Sequence, residues 1–135
     1  MAALTTDRNT PMKDGELIPL LAAAAKKFFA GAIVCVDANG YATPGATATT
    51  LRFMGRAEGY VDNSAGANGA AVVLVRRKAA FQFANLAADL VVQADVGNTC
   101  YIVDDQTVAK TNGGATRSAG GKILAVDAAG VWVEA

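Results

Sequence analysis

The feature that most constrains the fold is a pair of segments in which side chains alternate with a period of two. In the first, one face of an extended chain would carry Leu51, Phe53, Gly55 and Ala57, and the other Arg52, Met54, Arg56 and Glu58. Such alternation is typical of a half-buried β-strand. The second segment, residues 71–83, is rich in Val and Phe, and the Asn-, Asp- and Gly-rich residues 62–69 separate the two. The sequence predicts strand, long loop and strand in one sheet that carries the largest core side chains.

A short pattern, Val-Asp-Ala-x-Gly, occurs at residues 36–40 and again at residues 126–130, each time between apolar runs. The first copy contains Asn39-Gly40, and Asn-Gly is among the strongest signals for a two-residue hairpin turn. We therefore predict two similar hairpins. A third is expected from residues 98–103 and 107–110, with the turn at residues 104–106.

Two segments are ambiguous between helix and other structure. Residues 17–29 contain four consecutive alanines, which favour a helix, but they lack a clear cap, so we favour a strand entering a turn at Ala30-Gly31. Residues 85–96 are expected to hold at most one short helix, with Leu86, Leu90 and Val91 on one face, or to be irregular.

These elements predict a mainly β fold: a compact β-barrel or β-sandwich of eight to ten short strands, with an extended N-terminal arm and at most one short helix. We assign residues 1–20 to the arm and residues 21–135 to a single β domain. Residues 1–16 are polar and show no period, so they are either a disordered tail or an arm that becomes ordered on a partner.

Composition limits the partners that this chain can have. The chain is 53% hydrophobic, but much of that share is alanine, so we expect a modest core supplemented by contacts with other subunits. The 12 basic and 12 acidic residues cancel, whereas a nucleic-acid binder normally has a basic excess. The longest apolar stretch, residues 17–25, is interrupted by Pro19 and is too short to cross a bilayer. We expect a soluble protein made in the cytoplasm, with neither nucleic acid nor membrane as a partner.

Residues that could carry chemistry are few. There is no histidine, and the serines Ser64 and Ser118 both lie in glycine-rich loops. Residues 116–123 fail as a phosphate-binding loop, because Thr116 replaces the first glycine and Ile123 the hydroxyl residue. Asp104 and Asp105 are adjacent and would point to opposite faces of a strand. We therefore predict no catalytic, cofactor-binding or metal-binding residues, and no enzymatic activity.

The two cysteines, Cys35 and Cys100, both lie within apolar runs. This pattern favours buried, reduced thiols that behave as small apolar side chains. A disulfide between them remains open at this stage, since sequence alone does not give their separation.

Seven segments taken in order resemble one protein family. They are Tyr41-Ala42-Thr43-Pro44, Gly55-Arg56-Ala57-Glu58, Val61-Asp62-Asn63-Ser64-Ala65-Gly66, Val75-Arg76-Arg77, Phe81-Gln82-Phe83-Ala84-Asn85, Cys100-Tyr101-Ile102-Val103-Asp104-Asp105-Gln106-Thr107-Val108 and Val131-Trp132-Val133. Together they resemble the capsid decoration (cement) proteins of tailed phages and prophages, particularly those of Mu-like transposable siphophages. The resemblance covers the chain from about residue 17 to the C-terminus.

The resemblance implies a virion structural protein, a minor capsid protein on the outer surface of the capsid that is synthesised in the host cytoplasm. Such proteins bind the expanded head as trimers at three-fold and quasi-three-fold positions, where they stabilise contacts between major capsid subunits. The implied partners are the major capsid protein and further copies of this chain. The alternative is another virion component, such as a tail-tube or fibre-base subunit.

By analogy with the family, the arm would lie along a capsid subunit or a neighbouring decoration subunit. Extended arms do this by adding a strand to an exposed sheet edge. The candidate interface residues are Asp7, Arg8, Asn9 and Thr10 in the arm, and Arg76 and Arg77 in the sheet.

Overall fold

The computed structural model describes residues 2–135 and confirms a mainly β fold; Met1, the first residue of the predicted arm, lies outside the described residues. The strands are β1 (Leu17–Leu21), β2 (Lys26–Phe28), β3 (Ile33–Val36), β4 (Ala42–Pro44), β5 (Arg52–Ala57), β6 (Val61–Asn63), β7 (Val72–Arg76), β8 (Ala80–Asn85), β9 (Thr99–Ile102), β10 (Thr107–Ala109), β11 (Ala119–Asp127) and β12 (Gly130–Glu134). The described residues thus contain more strands than the eight to ten expected. Their helical content is limited to two 3-10 turns, Ala87–Asp89 and Gln93–Asp95.

The N-terminal half forms a five-stranded antiparallel sheet with the order β1-β7-β5-β3-β4, which we call the open sheet. The short antiparallel pair β2-β6 packs beside it. The buried side chains between these two layers form the sheet core: Ala22, Phe28, Ala32, Val34, Ala42, Ala57, Val73 and Val75. Phe28 is the largest of them and is fully buried.

The C-terminal half forms a closed barrel with the order β10-β8-β12-β11-β9. Its strands are antiparallel neighbours except for β8 and β10, which run parallel and close the barrel. The barrel core consists of Ile33, Cys35, Phe83, Val91, Cys100, Ile102, Val108, Ile123, Val131 and Val133. Closure gives every barrel strand a hydrogen-bonded neighbour on both sides.

Strand β3 lies between the two cores and is buried along its whole length. Successive side chains of a strand point to opposite faces. Accordingly, Ile33 and Cys35 belong to the barrel core, and Val34 belongs to the sheet core. The Ile33 N–H also donates to the Asp105 carbonyl at 2.7 Å, which ties the open sheet to the turn between β9 and β10.

The predicted hairpins are confirmed, and the two Val-Asp-Ala-x-Gly copies turn in a related way. The Asp37 carboxylate accepts the N–H groups of Asn39 and Tyr41, at 2.9 and 3.0 Å. The Asp127 carboxylate accepts those of Ala129 and Gly130, at 2.8 and 3.1 Å. These bonds hold the Asp127 carboxyl pKa below its ordinary value, the Ala129 N–H being the largest cause. Strands β9 and β10 likewise pair antiparallel.

The predicted face assignment of residues 51–58 is only partly right. Leu51 and Phe53 pack against the barrel core, but Ala57 lies in the sheet core. The reason is a β-bulge: the register of β5 against β3 shifts between Val34, opposite Gly55, and Cys35, opposite Phe53. The extra residue, Met54, reverses the alternation beyond it.

The prediction that residues 51–83 form one sheet is wrong. Strand β7 belongs to the open sheet, whereas β8 belongs to the barrel. Between them Lys78 adopts a positive φ of 57°, a left-handed conformation that turns the chain out of the strand.

Residues 85–96 take the irregular form that was left open, with 3-10 turns in place of an α-helix. The Asn85 side chain explains this, because its amide accepts from the Val91 N–H at 2.9 Å and donates to the Val91 carbonyl at 2.8 Å. Side-chain bonds to the backbone of this kind compete with helical hydrogen bonds. Val91 is buried, whereas Leu90 is 49% exposed, so no single apolar helix face exists.

Candidate binding surface

Strands β1 and β7 carry apolar side chains on both faces of the open sheet. The inward ones, Ile18 and Leu20 of β1 and Val73 and Val75 of β7, contact or form the sheet core. The outward ones are Leu17, Pro19, Leu21, Val72 and Leu74, which we call the apolar face. Its leucines and valine are 37% to 51% exposed. A contiguous group of exposed apolar side chains commonly marks an interaction site.

The apolar face continues into a shallow cavity of about 270 Å³. Its lining consists of Glu58, Gly59, Tyr60, Val61, Val72 and Leu74. Tyr60 is 55% exposed and its ring packs on that of Phe29 with centroids 5.6 Å apart. The cavity therefore combines three apolar strand residues with one exposed aromatic ring and the Glu58 carboxylate.

Three charged side chains border the apolar face. Arg76 donates two hydrogen bonds to the Glu58 carboxylate, at 3.0 and 3.1 Å, and Arg56 donates a third at 2.6 Å. The bonds from Arg76, and then those from Arg56, hold the Glu58 pKa below its ordinary value. The Arg56 guanidinium also lies 4.9 Å above the Phe81 ring of the barrel. The border is thus a partly exposed ion-pair group of two arginines and one glutamate, which carries one more positive than negative charge.

The free edge of β1 is interrupted by proline. Just before β1 the Glu16 carbonyl accepts from the Arg77 N–H at 2.7 Å, and just after it the Ala22 N–H donates to the Ala71 carbonyl at 2.9 Å. In an antiparallel pair the hydrogen-bonded positions alternate, so the even-numbered residues of β1 bond to β7. The backbone groups of Leu17, Pro19 and Leu21 therefore point to the open side. Pro19 lacks an N–H, so a strand added there would lose its central hydrogen bond.

The opposite edge of the open sheet is protected in the same way. The backbone groups of residue 43 in β4, and of residue 45 just beyond it, point towards β3. The Ala42 carbonyl points outward, but it already accepts from the Ala23 N–H at 2.8 Å. Pro44 occupies the other outward position. Both edge strands of the sheet therefore carry a proline where an added strand would need a donor.

The N-terminal arm extends from the open sheet, and it is shorter than the sequence indicated. Residues 17–20, assigned to the arm, are paired with β7 as part of β1. Among the described residues, no hydrogen bond or ion pair joins residues 2–13 to the domain. Residues 7–10 are exposed and make one local bond, from the Thr10 N–H to the Arg8 carbonyl at 3.1 Å.

The candidate interface residues divide into two places. Arg76 and Arg77 lie at the base of the arm, where the Arg77 N–H donates to the Glu16 carbonyl at 2.7 Å. Asp7, Arg8, Asn9 and Thr10 lie further out along the arm, without contact to that pair. The structure thus places the arginine pair at the arm's base and leaves the four arm residues exposed.

Residues with conventional reactivity lie elsewhere and are held in structural roles. Cys35 and Cys100 are separate thiols, both buried, as predicted. Burial raises the pKa of Cys35 to about 12 and that of Cys100 to about 11. The Ser118 hydroxyl donates to the Ala48 carbonyl at 2.5 Å and accepts from the Leu51 N–H at 3.1 Å, which joins the open sheet to the barrel. Within residues 2–135, no group of three His, Cys, Asp or Glu side chains is placed to hold a metal ion.

Sequence reasoning missed the apolar face, although a signal was present. Residues 17–21 are apolar throughout, and so are residues 72–75. A strand that is apolar on both faces is either buried on both sides, as β3 is, or exposes one apolar face. Only the tertiary packing distinguishes these cases: the barrel core covers the second face of β3, whereas the outer faces of β1 and β7 stay exposed.

Comparisons with protein families, curated proteins and solved structures gave no match to this chain. Among the described residues, no helix is long and apolar enough to span a membrane.

Proposed function

We propose that this chain is a virion structural protein, a capsid decoration (cement) protein that binds the outside of the expanded phage head. One observation supports this most directly: residues 2–13, which make no hydrogen bond or ion pair with the described domain, lead into the edge strand β1, whose outer side chains belong to the exposed apolar face. A chain that joins several subunits needs both an extended reach and a surface that excludes water.

The proposed role is to stabilise contacts between major capsid subunits at three-fold and quasi-three-fold positions, as a homotrimer. Each copy would contribute a modest interface, and linked copies on a repeating shell gain affinity through effective concentration. The zero net charge suits a protein outside the shell, away from the packaged genome. In this role the chain acts by binding, without catalysis and without a cofactor.

In this proposal the arm, with Asp7, Arg8, Asn9 and Thr10, reaches a neighbouring subunit, while Arg76 and Arg77 contact the surface at its base. The prolines of β1 and β4 disfavour the addition of a foreign strand to the open sheet. Strand addition is still open to the arm itself, whose backbone groups are exposed and could pair with an edge on the capsid. The domain would then bind through the side chains of its apolar face.

Co-sedimentation with heads tests this function. The full chain and a variant lacking residues 2–14 are mixed with expanded, decoration-free heads and with unexpanded proheads of the encoding phage. We expect saturable binding of the full chain to expanded heads and weaker binding of the deletion variant. Circular dichroism of the deletion variant provides the folding control.

Two outcomes would change the proposal. Equal binding by the deletion variant would keep the decoration role and remove the arm from it. Absence of binding to either shell would contradict the decoration role, and assembly of the isolated protein into rings or tubes would then favour a tail component.

A further inference from the structure

We propose that Asn39 is a site of spontaneous covalent modification, at which the side-chain amide is converted to a carboxylate. The chain contains three Asn-Gly pairs, at residues 39–40, 68–69 and 112–113. Asparagine is a thermolabile residue, and a glycine after it leaves its backbone nitrogen accessible, because glycine has no side chain. The three pairs differ in the contacts of their reacting groups, and these contacts single out the first pair. The inference is independent of the proposed function.

The reaction needs only water in addition to the chain. The backbone nitrogen of Gly40 loses its proton and attacks the side-chain carbonyl carbon of Asn39, and the bond from that carbon to the amide nitrogen breaks as ammonia leaves. The product is a cyclic succinimide. Water then adds to one of the two ring carbonyls and reopens the ring, which leaves aspartate or isoaspartate at position 39. In isoaspartate the main chain runs through the side-chain carbons.

Asn39 lies at the tip of the hairpin between β3 and β4, and its side chain is unrestrained. The residue is exposed, and among the described residues its carboxamide makes no hydrogen bond, whereas its backbone N–H donates to the Asp37 carboxylate at 2.9 Å. The Gly40 N–H donates to the Asp37 carbonyl at 3.0 Å, a bond within the exposed turn itself. Cyclisation therefore requires only this one local bond to open.

In the second pair both reacting groups are bonded to a distant part of the chain. The Asn68 side-chain oxygen accepts from the Ala24 N–H at 2.7 Å, and the Gly69 N–H donates to the Ala22 carbonyl at 2.8 Å. These bonds hold the pair against the residues that follow β1. Groups held in this way react only when the local structure opens, so two bonds must be released before the ring can form.

The third pair is held within its own loop. The Asn112 side-chain oxygen accepts from the Ala115 N–H at 3.2 Å, and the Gly113 N–H donates to the Thr111 hydroxyl at 3.3 Å. Both reacting groups are therefore bonded here as well. These bonds are longer than those of residues 68–69 and join residues of a single exposed loop, so they should open more easily.

Neighbouring side chains also crowd the third pair. A Cβ on Gly113 would lie 2.7 Å from the Thr116 Oγ1 atom and 3.0 Å from the Arg117 Cζ atom, whereas a Cβ on Gly40 would meet no atom within 4 Å. A ring that forms at residues 112–113 has to displace these side chains, and a ring at residues 39–40 has open space. The expected order of native rates, from the fastest, is Asn39, Asn112 and Asn68.

The modification would change a turn at the end of β3, the strand that both cores share. The Asp37 carboxylate accepts the N–H groups of Asn39 and Tyr41. Isoaspartate lengthens the backbone between these two N–H groups, so the carboxylate can no longer bind both in the same geometry. We therefore expect the isoaspartate form to unfold at a lower temperature than the native chain.

Peptide mapping by mass spectrometry tests the proposal with internal controls. The purified chain is incubated at neutral pH below its unfolding temperature and then digested with trypsin, which places the three pairs in separate peptides, residues 28–52, 57–76 and 111–117. The same incubation in concentrated guanidinium chloride gives the rate at each pair without the fold. The ratio of the two rates measures the protection by native contacts. Asn39→Ser protein confirms the assignment of the signal in the first peptide.

We expect similar rates at the three pairs in guanidinium chloride. In the native chain Asn39 should react roughly five- to tenfold faster than Asn68, because one hydrogen bond fewer has to open. Equal native rates at the three pairs, or a faster native reaction at Asn68 or Asn112, would overturn the proposal. Protection of Asn39 as strong as that of Asn68 would overturn it as well. None of these results bears on head binding, which co-sedimentation measures independently.

Discussion

The open sheet and the barrel solve the same problem of exposed strand edges in different ways. The barrel closes on itself through the parallel pair β8 and β10, so its backbone groups are satisfied internally. The open sheet ends in β1 and β4, where Pro19 and Pro44 replace a donor on the outward side. Closure leaves the barrel without a free strand edge, whereas the open sheet keeps two edges and an exposed apolar face on β1 and β7. In the proposed function the barrel therefore serves as the scaffold and the open sheet as the binding half.

The exposed apolar side chains of the two halves are placed differently. On the barrel half they are Leu90, Val92 and Val96 in the segment of 3-10 turns, and Leu124 and Trp132 on the strands, where the Trp132 indole N–H donates to Asp127 at 3.3 Å. On the sheet, Leu21, Val72 and Leu74 lie side by side on paired strands without polar partners. An isolated exposed apolar residue needs no explanation, but a continuous group does.

The largest effect is expected from a cavity in the barrel core. Ile102→Ala removes a fully buried side chain and should lower the free energy of unfolding by about 2–5 kcal/mol. Leu74→Ala, on the apolar face, should cost less than about 1 kcal/mol in the dilute protein, because its side chain is already 45% exposed. Urea unfolding of both variants measures the contrast. Similar losses would contradict the division into scaffold and binding half.

The next effect concerns the bulge that directs β5 towards both cores. Gly55 has a φ of 148°, and a Cβ there would overlap the Arg76 carbonyl oxygen. Gly55→Ala should therefore cost about 1–3 kcal/mol, the usual range for a strained backbone position. Gly59→Ala is the control: a Cβ there meets no atom within 4 Å, so a change within about 0.5 kcal/mol is expected. Equal unfolding midpoints for the two variants would show that residue 55 accepts a side chain without strain, which would contradict this account of Gly55.

A smaller effect on stability, but a visible one on association, is expected at the edge of β1. Pro19→Val restores an outward N–H between the free groups of Leu17 and Leu21 and completes an edge that can pair. Light scattering over time should rise relative to the native chain. Pro11→Val, in the arm, should leave scattering unchanged, and the same rise in both variants would contradict the protective role of Pro19.

The smallest effect concerns the ion pairs that border the apolar face. The folded-state pKa of Glu58 lies below 4.5, mainly because of Arg76, so its contribution to stability is complete above pH 4.5 and is lost as the pH falls through the folded value. Arg76→Met should weaken this acid sensitivity only slightly, because the pair is exposed. Urea midpoints compared above and below pH 4.5 measure it. Arg8→Met, in the arm, should keep the native pH profile, and an unchanged profile in Arg76→Met would refute the assignment.

Local turn chemistry made much of the fold predictable from sequence. The two Val-Asp-Ala-x-Gly hairpins formed because an aspartate binds the N–H groups of its own turn, which is a property of a few adjacent residues. The mainly β class followed from the number of such turns. The burial of Cys35 and Cys100 followed from the apolar runs around them.

Non-local pairing could not be predicted. The partnership of β1 with β7 joins Leu17 to Arg76, and barrel closure joins Thr107 to Ala84, at separations that no local pattern specifies. The bulge at Met54 and the left-handed Lys78 reversed predictions that assumed an uninterrupted alternation. The apolar face was hidden for the same reason, since its exposure depends on which layers pack against β1 and β7.

The most direct test of the binding half compares two substitutions of equal kind in the two halves. Leu74→Lys places a charge on the apolar face, and Leu124→Lys places one on the barrel surface at similar exposure, 45% against 41%. Their saturable binding to expanded heads is measured by co-sedimentation, with urea midpoints to confirm that both fold. We predict that Leu74→Lys loses most of its binding and that Leu124→Lys binds like the native chain. Equal binding by the two variants, or a greater loss in Leu124→Lys, would contradict the account.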